Sequence, residues 1–96
     1  MSYRVLLTSN VKPDQKEALL PFLENNLPNV RGFAGCLNVT VLFEDGGQRM
    51  VFDEEWTSKE AHQAYLAFID NNGVLAELAA FLQGPPEINY YHRLEI

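Results

Sequence analysis

The sequence predicts an α+β fold in which helices cover one face of a four-stranded antiparallel sheet. Three observations predict it. Four segments alternate apolar and polar residues as half-buried strands do, and three others repeat apolar residues every three to four positions as amphipathic helices do. Turn and cap residues separate these segments, which follow one another in the order βαββ(αα)β.

The first strand runs from Tyr3 to Val11, an alternating stretch rich in β-formers. Lys12-Pro13-Asp14 ends it and opens a helix, with proline tolerated in the first turn. That helix is expected from Asp14 to Asn26, with Ala18, Leu19, Phe22 and Leu23 on one face and Pro28 closing it. Pro21, inside the pattern, removes a backbone hydrogen bond and predicts a kink. After Arg31-Gly32, the segment Phe33 to Glu44 sets Leu37, Val39, Val41 and Phe43 on one side and Cys36, Asn38, Thr40 and Leu42 on the other. Asp45-Gly46-Gly47 supplies residues that tolerate positive φ, so a hairpin leads into a third strand from Gln48 to Trp56.

Thr57 and Glu60 form a capping box that starts a helix from Ser58 to about Asp70, with Ala61, Ala64, Tyr65, Phe68 and Ile69 buried. Asn71-Asn72-Gly73 reads as its C-cap. A third helix from Val74 to Gln83 carries Leu75, Leu78, Phe81 and Leu82; Gly84-Pro85-Pro86 stops it, and Glu87 to Glu95 is the last strand. No repeat, linker or low-complexity tract interrupts residues 1–96, so one domain is expected. The element order is that of the split βαβ, ferredoxin-like arrangement.

Helices shield one sheet face only, yet Val5, Leu7 and Val11 oppose Leu6, and Leu37, Val39 and Val41 oppose Leu42. An apolar patch of that kind exceeds what soluble monomers ordinarily expose, and two-fold self-association covers it. A homodimer packed sheet to sheet is therefore expected; the alternative is a monomer with one half-polar face.

Thirteen acidic residues against seven basic ones give a net charge of −6. This disfavours nucleic acid and anionic membrane as partners, because phosphate binding needs clustered Lys and Arg. No apolar run is long enough to span a bilayer, and the first residues enter a strand without a signal-peptide pattern, so a cytoplasmic protein is expected. The single cysteine, Cys36, excludes an intrachain disulfide and a thiolate metal cage, and reads as a packed thiol. Asp53, Glu54 and Glu55 alternate sides, so at most Asp53 and Glu55 converge; with no His at ligand spacing, no metal site is expected. Glu54 reads as the partner of Arg4, Arg49 or Arg93 in an ion pair.

The joint between third strand and second helix is the most informative stretch. Glu54 and Trp56, two apart on an extended chain, project to one side, and Trp56 stands where strand gives way to helix. An aromatic ring with an N–H donor is thus expected at the mouth of a cleft. This joint, with Glu54-Glu55-Trp56 followed by Thr57-Ser58-Lys59-Glu60-Ala61, then Pro85-Pro86-Glu87-Ile88 and Gly35-Cys36-Leu37, resembles the antibiotic biosynthesis monooxygenase domain family over nearly the whole chain.

The resemblance implies a dimeric α+β barrel and a cofactor-free monooxygenase that oxidises a small aromatic substrate, a hydroquinone or anthrone, with O2. It implies no cofactor. The family also contains haem-degrading members, whose ligating His would fall on Leu75 here, so haem degradation is disfavoured. A His common in the family nine residues after the Trp is replaced by Tyr65, and an Asn that some oxygenases carry four residues before it is replaced by Phe52. Oxygenation without metal or flavin requires a group that takes a proton, donors for the resulting oxyanion, and exclusion of bulk water. His62 is the expected base, because its ordinary pKa lies near neutrality; its alternative is a solvent-facing helical residue. Trp56 and Tyr65 would form an aromatic slot with N–H and O–H donors, or else pack the core. Asn10 and Asn38 would bind substrate or water, and Phe22, Phe52, Phe68 and Leu78 would wall the pocket. His92 reads as structural or interfacial. A non-catalytic ligand-binding or stress-response protein is the competing class.

Overall fold

The computed structural model describes residues 2–96. Its elements are β1 (Tyr3–Asn10), α1 (Lys16–Arg31), β2 (Cys36–Phe43), β3 (Arg49–Trp56), α2 (Lys59–Asn71), α3 (Val74–Ala79) and β4 (Glu87–Tyr91). The four strands form one antiparallel sheet in the order β2-β3-β1-β4, the ferredoxin-like arrangement that the element order predicts. On one face Val5, Leu7, Val39, Met50, Phe52 and Trp56 pack against Leu19, Leu23 and Val30 of α1, and against residues of α2 and α3, in two adjoining clusters. Among the described residues no helix is long and apolar enough to cross a membrane.

Several boundaries differ from the expected ones, each for a local reason. Helix α1 continues to Arg31 rather than ending at Asn26, and Pro28 lies within it. Both Pro21 and Pro28 fall on its exposed side, where solvent replaces the lost N–H donor, while Leu19, Leu23 and Val30 hold the buried stripe and Ala18 is exposed. In β2 a bulge between Cys36 and Asn38 turns Leu37 outward, 55% exposed, and brings Cys36 onto the core face with Val39. The simple alternation that grouped Leu37 with Val39 misses that extra residue.

The cap of α2 is Ser58, whose hydroxyl accepts from Ala61 N at 3.0 Å, so Thr57 and Glu60 do not form the capping box. The buried stripe of α2 is accordingly His62, Tyr65, Leu66 and Ile69, at the helical i, i+3, i+4, i+7 spacing, while Ala64 and Phe68 face out. Helix α3 stops at Ala79 rather than Gln83 because the chain beyond it pairs with the end of β1: Lys12 N donates to Phe81 O at 2.9 Å and Gln83 N to Asn10 O at 2.8 Å. Strand β4 ends at Tyr91, opposite Arg4, because β1 offers almost no strand beyond that point. The Asp45-Gly46-Gly47 hairpin forms as its residues dictate, with Gly46 at φ 73°.

Candidate functional site

Alternation along β3 aims Met50, Phe52, Glu54 and Trp56 at the helices, which carries one carboxylate into an otherwise apolar layer. Glu54 is 4% exposed. A buried charge requires partners, and three elements supply them. Trp56 Nε1, on the same strand, donates to Glu54 Oε1 at 2.8 Å. The Ser58 cap sets the phase of α2 so that His62, one turn in, turns toward the sheet and places Nε2 3.7 Å from the same oxygen. The pairing of Val5 with Tyr90 brings the Tyr90 hydroxyl from β4 to 2.8 Å from His62 Nδ1. The imidazole is 1% exposed and stands edge-on to both the Trp56 and Tyr90 rings. The expected ion pair of Glu54 is corrected by this geometry. Arg4 binds Asp53 at 2.8 Å on the opposite sheet face, which even-numbered β1 residues and odd-numbered β3 residues share.

Low-dielectric surroundings favour the neutral form of every group in the cluster. Burial raises the Glu54 carboxyl above the ordinary range, opposed by the Trp56 hydrogen bond and reinforced by the Asp53 charge. Burial lowers His62 to about 4. Tyr65 is pushed up to about 12, first by burial and then by the Glu54 and Cys36 charges. The Cys36 thiol is raised by burial and by Glu54. His62 is therefore neutral at pH 7 and a weaker base than its residue type suggests.

The linkage has a testable sign. His62 protonates more readily unfolded than folded, so its contribution to stability is complete above about pH 6.5 and is lost as pH falls toward about 4. Glu54 acts oppositely: its contribution is complete below its ordinary pKa of 4.5 and is lost as pH rises through its raised folded value. Urea unfolding of His62→Gln between pH 6.5 and pH 4 is expected to lose less stability than wild type. An unchanged slope would mean that His62 is not held neutral.

Beside this cluster lies a cavity of about 50 Å³ between sheet and helices. Phe22, Phe52 and Leu78 line it, as do the polar groups of Glu54, His62 and Tyr65. A larger groove of about 520 Å³, lined by Phe33 and Phe68, opens at the surface. Asn26, Tyr65, Ile69 and Val74 border both spaces and form the partition between them.

The fold thus brings together His62, Tyr65, Phe22, Phe52 and Leu78. It does not bring in the rest. Trp56 is 0% exposed and stands behind Glu54, so it holds the carboxylate rather than guarding a cleft mouth. Phe68, 53% exposed, flanks the outer groove. Asn10 and Asn38 are exposed on the sheet face away from the cavity, where their register against Arg49 and Glu55 puts them. Sequence reasoning missed Glu54 and Tyr90 as site residues. For Glu54 the signal was present, since its place between Phe52 and Trp56 on one side of β3 already set it in the core layer.

Comparison with known proteins agrees with this architecture. A conserved protein from Methanosarcina mazei superposes with a TM-score of 0.86 at 19% identity, over 98% of this chain and 94% of that one. A Mycobacterium tuberculosis protein superposes with a TM-score of 0.83 at 19% identity, over 100% and 98% of the two chains. A structure solved as an antibiotic biosynthesis monooxygenase gives 0.84 at 17% identity, over 96% and 98%. No curated protein sequence matches the chain. The model of the antibiotic biosynthesis monooxygenase family matches residues 2–67, a stretch that runs from β1 into α2 and contains Glu54, Trp56, His62 and Tyr65. With two-thirds of its length so matched and the fold in agreement, the chain belongs to the antibiotic biosynthesis monooxygenase family.

Proposed function

We propose that this protein is a cofactor-independent monooxygenase that oxidises a small aromatic quinol or anthrone with O2. The observation that carries the reading is the Glu54, His62 and Tyr65 cluster beside a small, largely apolar cavity. Loss of a hydroxyl proton makes the substrate an electron-rich oxyanion able to reduce O2 by itself. Its carbon then joins the reduced oxygen as a peroxide; one oxygen stays as a new carbonyl, and the other leaves as water with two protons drawn from the substrate. The buried pair of Glu54 and His62 holds the travelling proton. The Tyr65 hydroxyl, disfavoured from ionising, donates to the oxyanion. Trp56 fixes Glu54.

A cavity of about 50 Å³ accepts a few waters, whereas an apolar cavity of about 150 Å³ holds one benzene. A substrate ring therefore enters only as the partition of Asn26, Tyr65, Ile69 and Val74 moves toward the outer groove. Phe68 and Phe33 would meet the incoming ring there. The sheet face bearing Leu42 and Tyr91, both exposed, is proposed to pair with a second copy of the chain.

Oxygen uptake by chelator-treated protein against hydroquinones and anthrones tests the reading. Tyr65→Phe is expected to lower turnover by about 10²-fold, the size of one lost oxyanion donor, with substrate affinity nearly unchanged. Uptake no faster than autoxidation, together with saturable ligand binding, would favour the non-catalytic alternative.

A further inference from the structure

We propose that Glu54, through its Oε2 atom, is the catalytic residue that takes the substrate's hydroxyl proton, with His62 and Tyr90 as positioning residues behind it. The inference rests on the quinol-oxidising reading and assigns the proton to one atom of that site.

The geometry distinguishes the two oxygens of the carboxylate. Oε1 accepts from Trp56 at 2.8 Å and faces His62 at 3.7 Å, while Oε2 has no hydrogen-bond donor among the described residues and Glu54 lines the cavity. Among the described residues the buried side-chain atom without a partner is Ser9 Oγ, so Oε2 is not sealed in the core: it keeps the accessible surface that a ligand hydroxyl in the cavity would meet. His62 is less suited to that first contact. Its Nδ1 is engaged by Tyr90, and its Nε2 faces the carboxylate. The proton step balances within the site: the substrate O–H bond breaks, an O–H bond forms on Oε2, and the phenolate is left beside the Tyr65 hydroxyl. The carboxyl proton then returns to the peroxide formed from O2, which restores the carboxylate for the next turnover. Apolar surroundings make a carboxylate a stronger base than it is in water, so the acceptor matches a phenol more closely than an exposed Glu would.

Nitrophenols test this without oxygen chemistry, because their phenolate is coloured and they are not oxidised. At a pH where the free nitrophenol is protonated, binding to wild-type protein is expected to produce the phenolate colour together with the infrared C=O band of a protonated carboxyl. Both signals should disappear in Glu54→Gln and persist in His62→Gln, and oxygen uptake with a quinol should fall by about 10²- to 10⁴-fold in Glu54→Gln. Carbon-13 labelling of glutamate in the wild-type protein assigns the band to a glutamate, and Glu54 is the glutamate that lines the cavity, which keeps the test readable if Glu54→Gln fails to fold. Persistence of colour and band in Glu54→Gln, or no proton transfer in wild type, would overturn the assignment. Proton transfer that depends on Glu54 in a protein with no quinol-dependent oxygen uptake would leave the assignment standing and remove the oxygenase reading alone.

Discussion

Trp56→Ala is expected to cost about 3–5 kcal/mol of folding stability, the range for deleting a fully buried aromatic side chain. Two effects contribute. The indole fills the centre of the cluster formed by Val5, Val30 and Val39 and packs near the rings of Phe33, His62 and Tyr65, so its removal leaves a void that a close-packed core does not refill. Its N–H is also the one hydrogen bond that favours the charged form of buried Glu54, so the carboxyl is raised further when it is gone. Trp56→Phe separates the two, because it keeps most of the volume and removes the donor. Guanidinium midpoints should therefore place Trp56→Phe between wild type and Trp56→Ala. Equal midpoints for both variants would mean that packing contributes little.

Gly35→Ala is expected to be the other strongly destabilising change. Gly35 sits at φ 92°, a conformation that costs an L residue about 1–2 kcal/mol. Its missing Cβ would also stand 2.6 Å from Ala61 Cβ and 2.9 Å from Thr57 Oγ1, where the start of β2 meets the first turn of α2. Overpacking of this kind adds about 1–3 kcal/mol. Because Thr57 N donates to Gly35 O at 2.8 Å, the clash acts on the joint that sets the phase of His62. Loss of stability should then be accompanied by loss of ligand binding. Gly46→Ala is the control: φ is 73° there but nothing lies within 4 Å, so only the backbone cost applies. Similar thermal midpoints for the two variants would contradict this account of the joint.

The sheet and its topology were legible because strand alternation and turn chemistry are local signals. Asp45-Gly46-Gly47 defines a hairpin whatever surrounds it. The features that escaped are those set by tertiary contact. Pro28, read as the end of the helix, and Pro21, read as a kink in it, are both accommodated because they fall on the exposed side of α1, and the bulge at Leu37 inserts a residue that no period-two pattern reveals. Part of the site was legible in the same way. His62 and Tyr65 stand out by residue type and helical spacing, whereas Glu54 reads as the partner of an arginine in a structural ion pair because a carboxylate in the core layer runs against ordinary partition. Tyr90 joins the site only through the pairing of β4 with β1, which no spacing along the chain encodes. The exposure of Asn10 and Asn38 follows from strand parity, which alternation read along β1 and β2 against their buried neighbours Val11 and Val39 would have indicated.

The most direct measurement of the central claim is the fate of ¹⁸O₂ in a single turnover of metal-stripped protein with an anthrone, against a protein-free control. The account predicts one labelled oxygen in the product carbonyl and one in water, formed faster than autoxidation and dependent on Glu54 and Tyr65. Product formation and labelling no faster than in the protein-free control, across substrates that bind, would contradict it and leave a ligand-binding protein.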